Sequence, residues 1–293
     1  MSVASIPSSS HEGFDDIGKF ELYKFHNRTI DDIRLKNYMH SGRFALAAGG
    51  DQMYPELLRV EVDSIRTVDD RNSVVRTTVS DLPDFKLGEL ENTRTHERTL
   101  YQGNEVTQLK QIFKVPETDQ FITLVITVFE KNGQYQLAGL PYMVKQGAVK
   151  FNIRLDNWKF SSREGESTVV TLKIKETPEA QSAFANLRQD IVAYVCTPDT
   201  AIIDGTAQRT VTSTTAPGEK TIEVRFQASP GQSATGEYHA NIEIEKMDYS
   251  DITRSGQSVP AFDKSSNIWV WMGTVVTVAL LIIILIILCV SKV

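Results

Sequence analysis

Cysteine is almost missing from this chain of 293 residues, which holds only Cys196 and Cys289. Cys289 falls inside a long hydrophobic run near the C-terminus, so Cys196 stands alone in the polar part. No intramolecular disulfide can staple that part, and its stability must come from a packed core. Zinc chemistry lacks its usual donors as well. No Cys pair exists, and His11, His26, His40, His96 and His239 show no zinc-ligand spacing. A phosphate-cradling glycine loop and a G-x-S-x-G elbow are both missing. Excess positive charge is lacking too. Residues 1–263 carry 29 Lys+Arg against 37 Asp+Glu, a net charge near −8. That balance argues against nucleic acid as a partner, because phosphate binding needs a basic surface. It is also too mild for a disordered polyacidic chain. With no catalytic constellation and no cofactor motif, the expectation is a protein that is not an enzyme.

One long hydrophobic run is present. Ile268–Val290 reads IWVWMGTVVTVALLIIILIILCV and contains no charged residue. At ~1.5 Å per residue it reaches roughly 34 Å, enough for a hydrocarbon core of about 30 Å. Trp269 and Trp271 stand at its start, where indoles favour the headgroup zone. The run is apolar all round and too long for an ordinary core helix. It predicts a single membrane-spanning helix over 268–290, with the lipid bilayer as a partner, a polar stalk over 248–267 and a short tail, 291–293. Lys264 and Lys292 flank the run on opposite sides, which leaves orientation undecided.

Signals for the compartment conflict. Met1–Lys19 lacks the basic start and apolar stretch of a secretory signal peptide. The lone Cys196 favours a reducing compartment. Both suit a tail-anchored protein with its bulk in the cytosol. Asn27-Arg28-Thr29, in contrast, is an N-glycosylation acceptor pattern, and Asn27 would be modified only in the secretory pathway. A lipid anchor is a third reading, since Ser255-Gly256-Gln257 offers small residues before a polar spacer. Lys292 beyond the apolar run counts against it.

Between the termini the chain reads as strands. Leu58, Val60 and Val62 alternate with Arg59, Glu61 and Asp63, which predicts a half-buried strand. Ser73–Val79 reads likewise, and Asp69-Asp70-Arg71-Asn72 predicts the turn of a hairpin between them. Val106–Val115 is a further strand. Phe121–Phe129 is a β-branched and aromatic run that fits a strand buried on both faces. Asn132-Gly133 then predicts a tight hairpin with Gln134–Leu137 as the return strand. The cleanest alternation is Ala148–Trp158: Val149, Phe151, Ile153 and Leu155 face one way, Lys150, Asn152, Arg154 and Asp156 the other. Thr168–Ile174 is its expected partner across a polar loop. Glu179–Gln189 favours helix and Ile191–Cys196 strand, while Thr221–Phe226 and Tyr238–Glu245 alternate again. Close-spaced strands with little sign of long helices predict a mainly β protein: a mobile arm over 1–18, then one or two β-sandwich-like domains over 19–247 with a division open near 140–178, followed by the single C-terminal transmembrane helix.

Two further groups carry chemistry. Asp15-Asp16, Asp31-Asp32 and Asp69-Asp70 are oxygen donors of the kind Ca²⁺ prefers, but no EF-hand spacing surrounds them. They read as solvated turn residues, so no metal site is assigned and calcium association is expected only to be diffuse. Trp158 reads as a cap on the core, and Cys196 as a small residue on a half-buried strand rather than a nucleophile paired with a histidine.

Val149-Lys150-Phe151-Asn152-Ile153, followed by Trp158 and Phe160, resembles a motif of a family of invertebrate surface and secreted proteins. That family includes uncharacterised skeletal organic matrix proteins of stony corals. Ala201-Ile202-Ile203-Asp204-Gly205 is similar to its apolar-Asp-Gly step, and Ile222–Phe226, Tyr238 and Ile242 are similar to its closing strands. The likeness runs from about residue 44 to 245. Ser161 stands where the family leads one to expect a cysteine after the W-x-F step, leaving Cys196 without that partner. The resemblance implies a cell-surface or extracellular matrix role at calcified skeleton, with calcium carbonate mineral or matrix as partner and no enzymatic activity. The leading expectation is thus a cell-surface glycoprotein with an extracellular β-rich domain, embedded in skeleton directly or after cleavage in the stalk. A tail-anchored adaptor or trafficking protein is the alternative.

Overall fold

In the computed structural model the chain is described over residues 10–15, 18–25, 33–39, 41–48, 56–80, 87, 90–137, 140–159, 165–176, 191–198, 200–209, 211–216, 218–227 and 233–246. The stalk, the apolar run 268–290, Asn27, Asp31-Asp32 and the helix expected over Glu179–Gln189 lie outside the described residues.

Nineteen strands account for most of the described chain. They are β1 (Ser10–Asp15), β2 (Gly18–Phe25), β3 (Ile33–Tyr38), β4 (Arg43–Ala48), β5 (Glu56–Val68), β6 (Val74–Ser80), β7 (Asn92–Tyr101), β8 (Asn104–Lys114), β9 (Phe121–Phe129) and β10 (Gly133–Leu137). They continue with β11 (Leu140–Val144), β12 (Val149–Lys159), β13 (Ser167–Glu176), β14 (Ile191–Cys196), β15 (Thr200–Ile203), β16 (Thr206–Arg209), β17 (Val211–Ala216), β18 (Glu219–Phe226) and β19 (Ser233–Lys246). Within the stretch expected as an arm, β1 pairs with β2. No α-helix occurs among the described residues.

The strands build two large antiparallel sheets and a separate two-stranded one, β10-β11. The first runs β1-β2-β3-β4-β5-β13-β18-β17, with β6 also on β5; the second runs β16-β15-β19-β12-β9-β8-β7, with β14 also on β19. One core lies between them. Phe44, Leu58, Val60, Leu172 and Val224 of the first sheet pack with Leu124, Ile126, Phe151, Ile153 and Tyr238 of the second. Phe44 and Phe151 meet edge to face with centroids 5.4 Å apart, the geometry that aromatic quadrupoles prefer. Gly236 of β19 lets the ring of Phe226 close on the backbone: a Cβ there would lie 2.7 Å from Phe226 Cδ1.

Local sequence explains many elements. Residues 121–129 are buried on the inner face and largely covered on the other, where Phe121 and Val125 stay half-buried, much as their β-branched and aromatic run predicts. The β5–β6 hairpin forms at the expected turn, where Asp69 Oδ1 accepts from the amides of Arg71 (2.9 Å) and Ser73 (2.7 Å). Gln102-Gly103 and Asp204-Gly205 have φ values of 47° and 82°, and of 46° and 79°. Positive φ at both central residues makes these the type I′ turns whose twist suits the β7–β8 and β15–β16 hairpins.

Three expectations need correction. β12 does not pair with β13: β12 lies between β9 and β19, whereas β13 lies between β5 and β18 in the other sheet. Gln134–Leu137 is a strand, but it pairs with β11 and not back onto β9. Asn132-Gly133 is no hairpin turn; a Cβ on Gly133 would fall 1.9 Å from Asn104 Oδ1, so a larger residue there would have to push the Asn104 side chain aside. The outward residues of the alternating strands are not uniformly solvated. Glu61 is 3% exposed, held by Arg43 (3.2 Å) and Lys175 (2.5 Å), and Lys150 is 1% exposed.

A bulge decides the fate of Trp158. Strict alternation after Leu155 would point Asn157 inward and Trp158 out. Instead Asn157 adopts φ 50°, and the pairing of β12 with β19 shifts between Leu155 and Trp158. Asparagine tolerates the left-handed region better than most residues, and its Nδ2 donates to Asp119 Oδ2 at 2.5 Å. The extra residue returns Trp158 to the core, where it is 1% exposed and Nε1–H donates to Thr168 Oγ1 (3.3 Å). Trp158 therefore caps the core as its composition predicted.

Candidate functional site: a polar groove under a tyrosine hairpin

The outer face of the second sheet holds an open groove of approximately 470 Å³. Its floor follows from strand register. On β12 the even-numbered residues Lys150, Asn152, Arg154 and Asp156 point out, opposite Asn241, His239 and Glu237 of β19 for the first three. On the other side β9 sets Thr127, Val125, Thr123 and Phe121 opposite the same four residues, and β8 adds Gln108, Lys110 and Ile112.

One end of this face is roofed. The β10–β11 hairpin brings Tyr135 and Tyr142 over it, where they pack with Val106, Phe129, Val144 and Ala148, against Tyr101. Tyr135 OH donates to Asn241 Oδ1, and Tyr142 OH donates to Glu243 Oε1 at 3.0 Å. Side chains at the β7–β8 turn tie the hairpin down: Asn104 Nδ2 donates to Gln134 O (2.8 Å) and Gln102 Nε2 to Gln136 O (3.2 Å).

Lys150 sits where the roof begins. Its ammonium lies 4.8 Å from the centroid of the Tyr101 ring and 3.3 Å from Asn152 Oδ1. Burial brings its pKa down from the ordinary lysine value to about 7, against the opposing pull of the Glu237 charge. Farther along, Arg154 Nε bridges Asp156 (2.5 Å) and Glu237 (3.3 Å). His239 Nε2 lies 3.1 Å from Glu237 Oε2. A carboxylate can only accept, so Nε2 carries the proton and Nδ1 is the free acceptor of the neutral ring. That Nδ1 is buried with no hydrogen-bond partner, as is Asn241 Nδ2. Burial holds the His239 pKa down, the Glu237 hydrogen bond opposing and the Lys150 charge assisting. The hydrogen bond from His239 in turn keeps the Glu237 carboxyl below its ordinary value.

The groups singled out in the sequence lie elsewhere. Asp69 is consumed by its own turn and Asp70 is exposed beside it. Asp15 belongs to β1, while Asp16 lies outside the described residues. Of the histidines among the described residues, His96 packs on Tyr23 across the sandwich edge, with centroids 4.6 Å apart, and His239 enters the groove. Cys196 ends β14, opposite Asn241. Among the described residues no cluster of three or more His, Cys, Asp or Glu is placed to hold a metal ion. Sequence reading did not single out Lys150, Glu237 or His239 as a site. The usable signal was the polar file Lys150-Asn152-Arg154-Asp156 on the most regular strand, but nothing local shows that a distant hairpin covers one end of it.

No curated protein matches the chain. Among solved structures, one assigned as a kojibiose phosphorylase from the human microbiome aligns over 79% of this chain at 8% identity with a TM-score of 0.23, and this chain spans 31% of its length. A likeness that weak carries no argument. The family comparison is informative and narrower than the span of about 44 to 245 that the motifs suggested, for it takes in the Val149–Trp158 motif but neither the Asp204-Gly205 step nor the closing strands. Residues 49–176, which include β5 through β13, match the family described as acidic skeletal organic matrix protein, the family that the strand motifs resemble.

Proposed function

We propose that this protein is a non-enzymatic component of a skeletal organic matrix, related to biomineralisation, whose β-sandwich is displayed outside the cell and held at the membrane by the apolar segment 268–290. The observation that carries this reading is the match of residues 49–176 to the acidic skeletal organic matrix family. The 23-residue uncharged run supports the anchor, and the Asn27 acceptor supports the secretory side. An acidic balance near −8 over residues 1–263 attracts Ca²⁺ as a diffuse cloud and needs no built site. Binding to matrix or mineral would then be electrostatic and weakened by salt.

The test uses the full chain with an epitope tag after Met1, expressed in cultured cells. Labelling of intact cells, with a size decrease on N-glycan removal, is the expected result. Labelling only after permeabilisation, with no size change, would replace this reading by a tail-anchored cytosolic protein. Retention of the detergent-solubilised chain on calcite, reduced by a calcium chelator, tests the mineral part separately.

A further inference from the structure

The groove on the second sheet is built as a site, and its chemistry goes beyond a diffuse acidic surface. Three observations define what it accepts. Lys150 places a cation at the closed end, 1% exposed. Its hydrogen bond goes to the neutral Asn152, and no carboxylate lies within ion-pair distance of it among the described residues. A cation removed from water without an acidic partner favours an anion brought by a ligand. The groove then runs along β12 from Lys150 to Asp156, ~20 Å at about 3.3 Å per residue. Its volume of approximately 470 Å³ exceeds the needs of a small inorganic anion and suits a ligand of a few rings. Lastly, the floor mixes hydrogen-bonding groups (Asn152, Thr123, Arg154, Glu237 and the unpartnered His239 Nδ1) with the apolar side chains of Val125, Ile112 and Phe121. Such a mixed surface bonds hydroxyl groups while its apolar side chains meet the C–H faces of a sugar ring.

We propose that this groove binds an acidic saccharide, its carboxylate against Lys150 under the tyrosine roof and its hydroxyls along Asn152, Arg154 and His239. A neutral sugar would leave the lysine uncompensated. A simple carboxylate would leave the rest of the floor unused. The inference rests on the groove and stands independently of which side of the membrane the sandwich occupies.

Isothermal titration of the full chain in detergent micelles at pH 6.5 tests it, with an unsulfated tetra-hexuronate as probe and a neutral tetra-hexose as comparison. The hexuronate should bind at least tenfold more tightly than the neutral sugar. Lys150→Met should weaken it at least tenfold without lowering the unfolding midpoint, and Arg154→Gln, near the open end, should weaken it less. Equal binding of the two sugars, an unaffected Lys150→Met variant, or no binding of the hexuronate would overturn the proposal. Oligo-glutamate binding as tightly as the hexuronate and competing with it would overturn the saccharide assignment in favour of a polycarboxylate peptide.

Discussion

Lys150 Nζ lies 4.8 Å from the centroid of the Tyr101 ring, at the point where the outer face of the second sheet passes beneath the β10–β11 hairpin. A cation over a ring face gains from the quadrupole, yet that gain does not restore its lost hydration. Burial still brings Lys150 to about 7.

Stability should therefore depend on pH through Lys150. A folded-state pKa below the unfolded value means that the unfolded chain holds more protons between about 7 and the ordinary lysine value, so stability rises with pH across that window. The penalty is fully present below pH 7 and is on the order of 5 kcal/mol at most. From pH 6 to 9 the contribution should improve by roughly 2–3 kcal/mol. Lys150→Met removes the charge and keeps the stem, so it should raise the urea midpoint at pH 6 and flatten the slope. Parallel pH profiles for the variant and the parent would contradict this account.

Asn157 controls whether Trp158 is inside. Asn157→Gly loses the bond to Asp119 but enters φ 50° without strain, so it should cost less than about 1 kcal/mol. Asn157→Val places a β-branched residue there, and should cost about 1–2 kcal/mol from the left-handed conformation together with the lost bond to Asp119. Urea unfolding of the two variants measures the difference, and equal losses would show that the bulge is not held by this residue.

Gly236 is required by contact, not by φ. Gly236→Ala would press a methyl against Phe226 and should cost about 1–3 kcal/mol. In a Phe226→Leu background, where the ring is gone, the same change should cost less. A double-mutant cycle with no coupling energy would refute the close approach.

Glu61 is a buried acid whose partners, Arg43 and Lys175, remain partly solvated. Glu61→Gln keeps the shape and removes the charge. It should destabilise by about 1–3 kcal/mol, and by less than removal of a partner from a fully buried pair. Guanidinium or urea midpoints check this, and the urea value should fall further at low salt than at high salt.

Much of this architecture is written in short stretches of sequence. Alternation of period two marked the strands at Leu58, Val149, Thr221 and Tyr238, and the β-branched and aromatic run 121–129 marked a strand largely covered on both sides. These signals are local, because one residue's face follows from its neighbour's. The composition of residues 268–290 likewise identifies a bilayer-length apolar segment without any tertiary information.

Partners were decided elsewhere. Nothing near Trp158 tells that β12 joins β9 and β19 while β13 crosses to β5 and β18, since pairing depends on which distant edges bury the most apolar surface together. The same reason hid the groove. Lys150 reads as a solvated residue on an amphipathic strand, and it is a buried cation where the Tyr101 ring lies against it and Tyr135, bonded to the neighbouring Asn241, roofs that end of the face. Sequence by itself determined that this is a β protein with an acidic polar part and an apolar tail. Tertiary structure alone decided which of its polar residues lost their water, and with that where a ligand has something to replace.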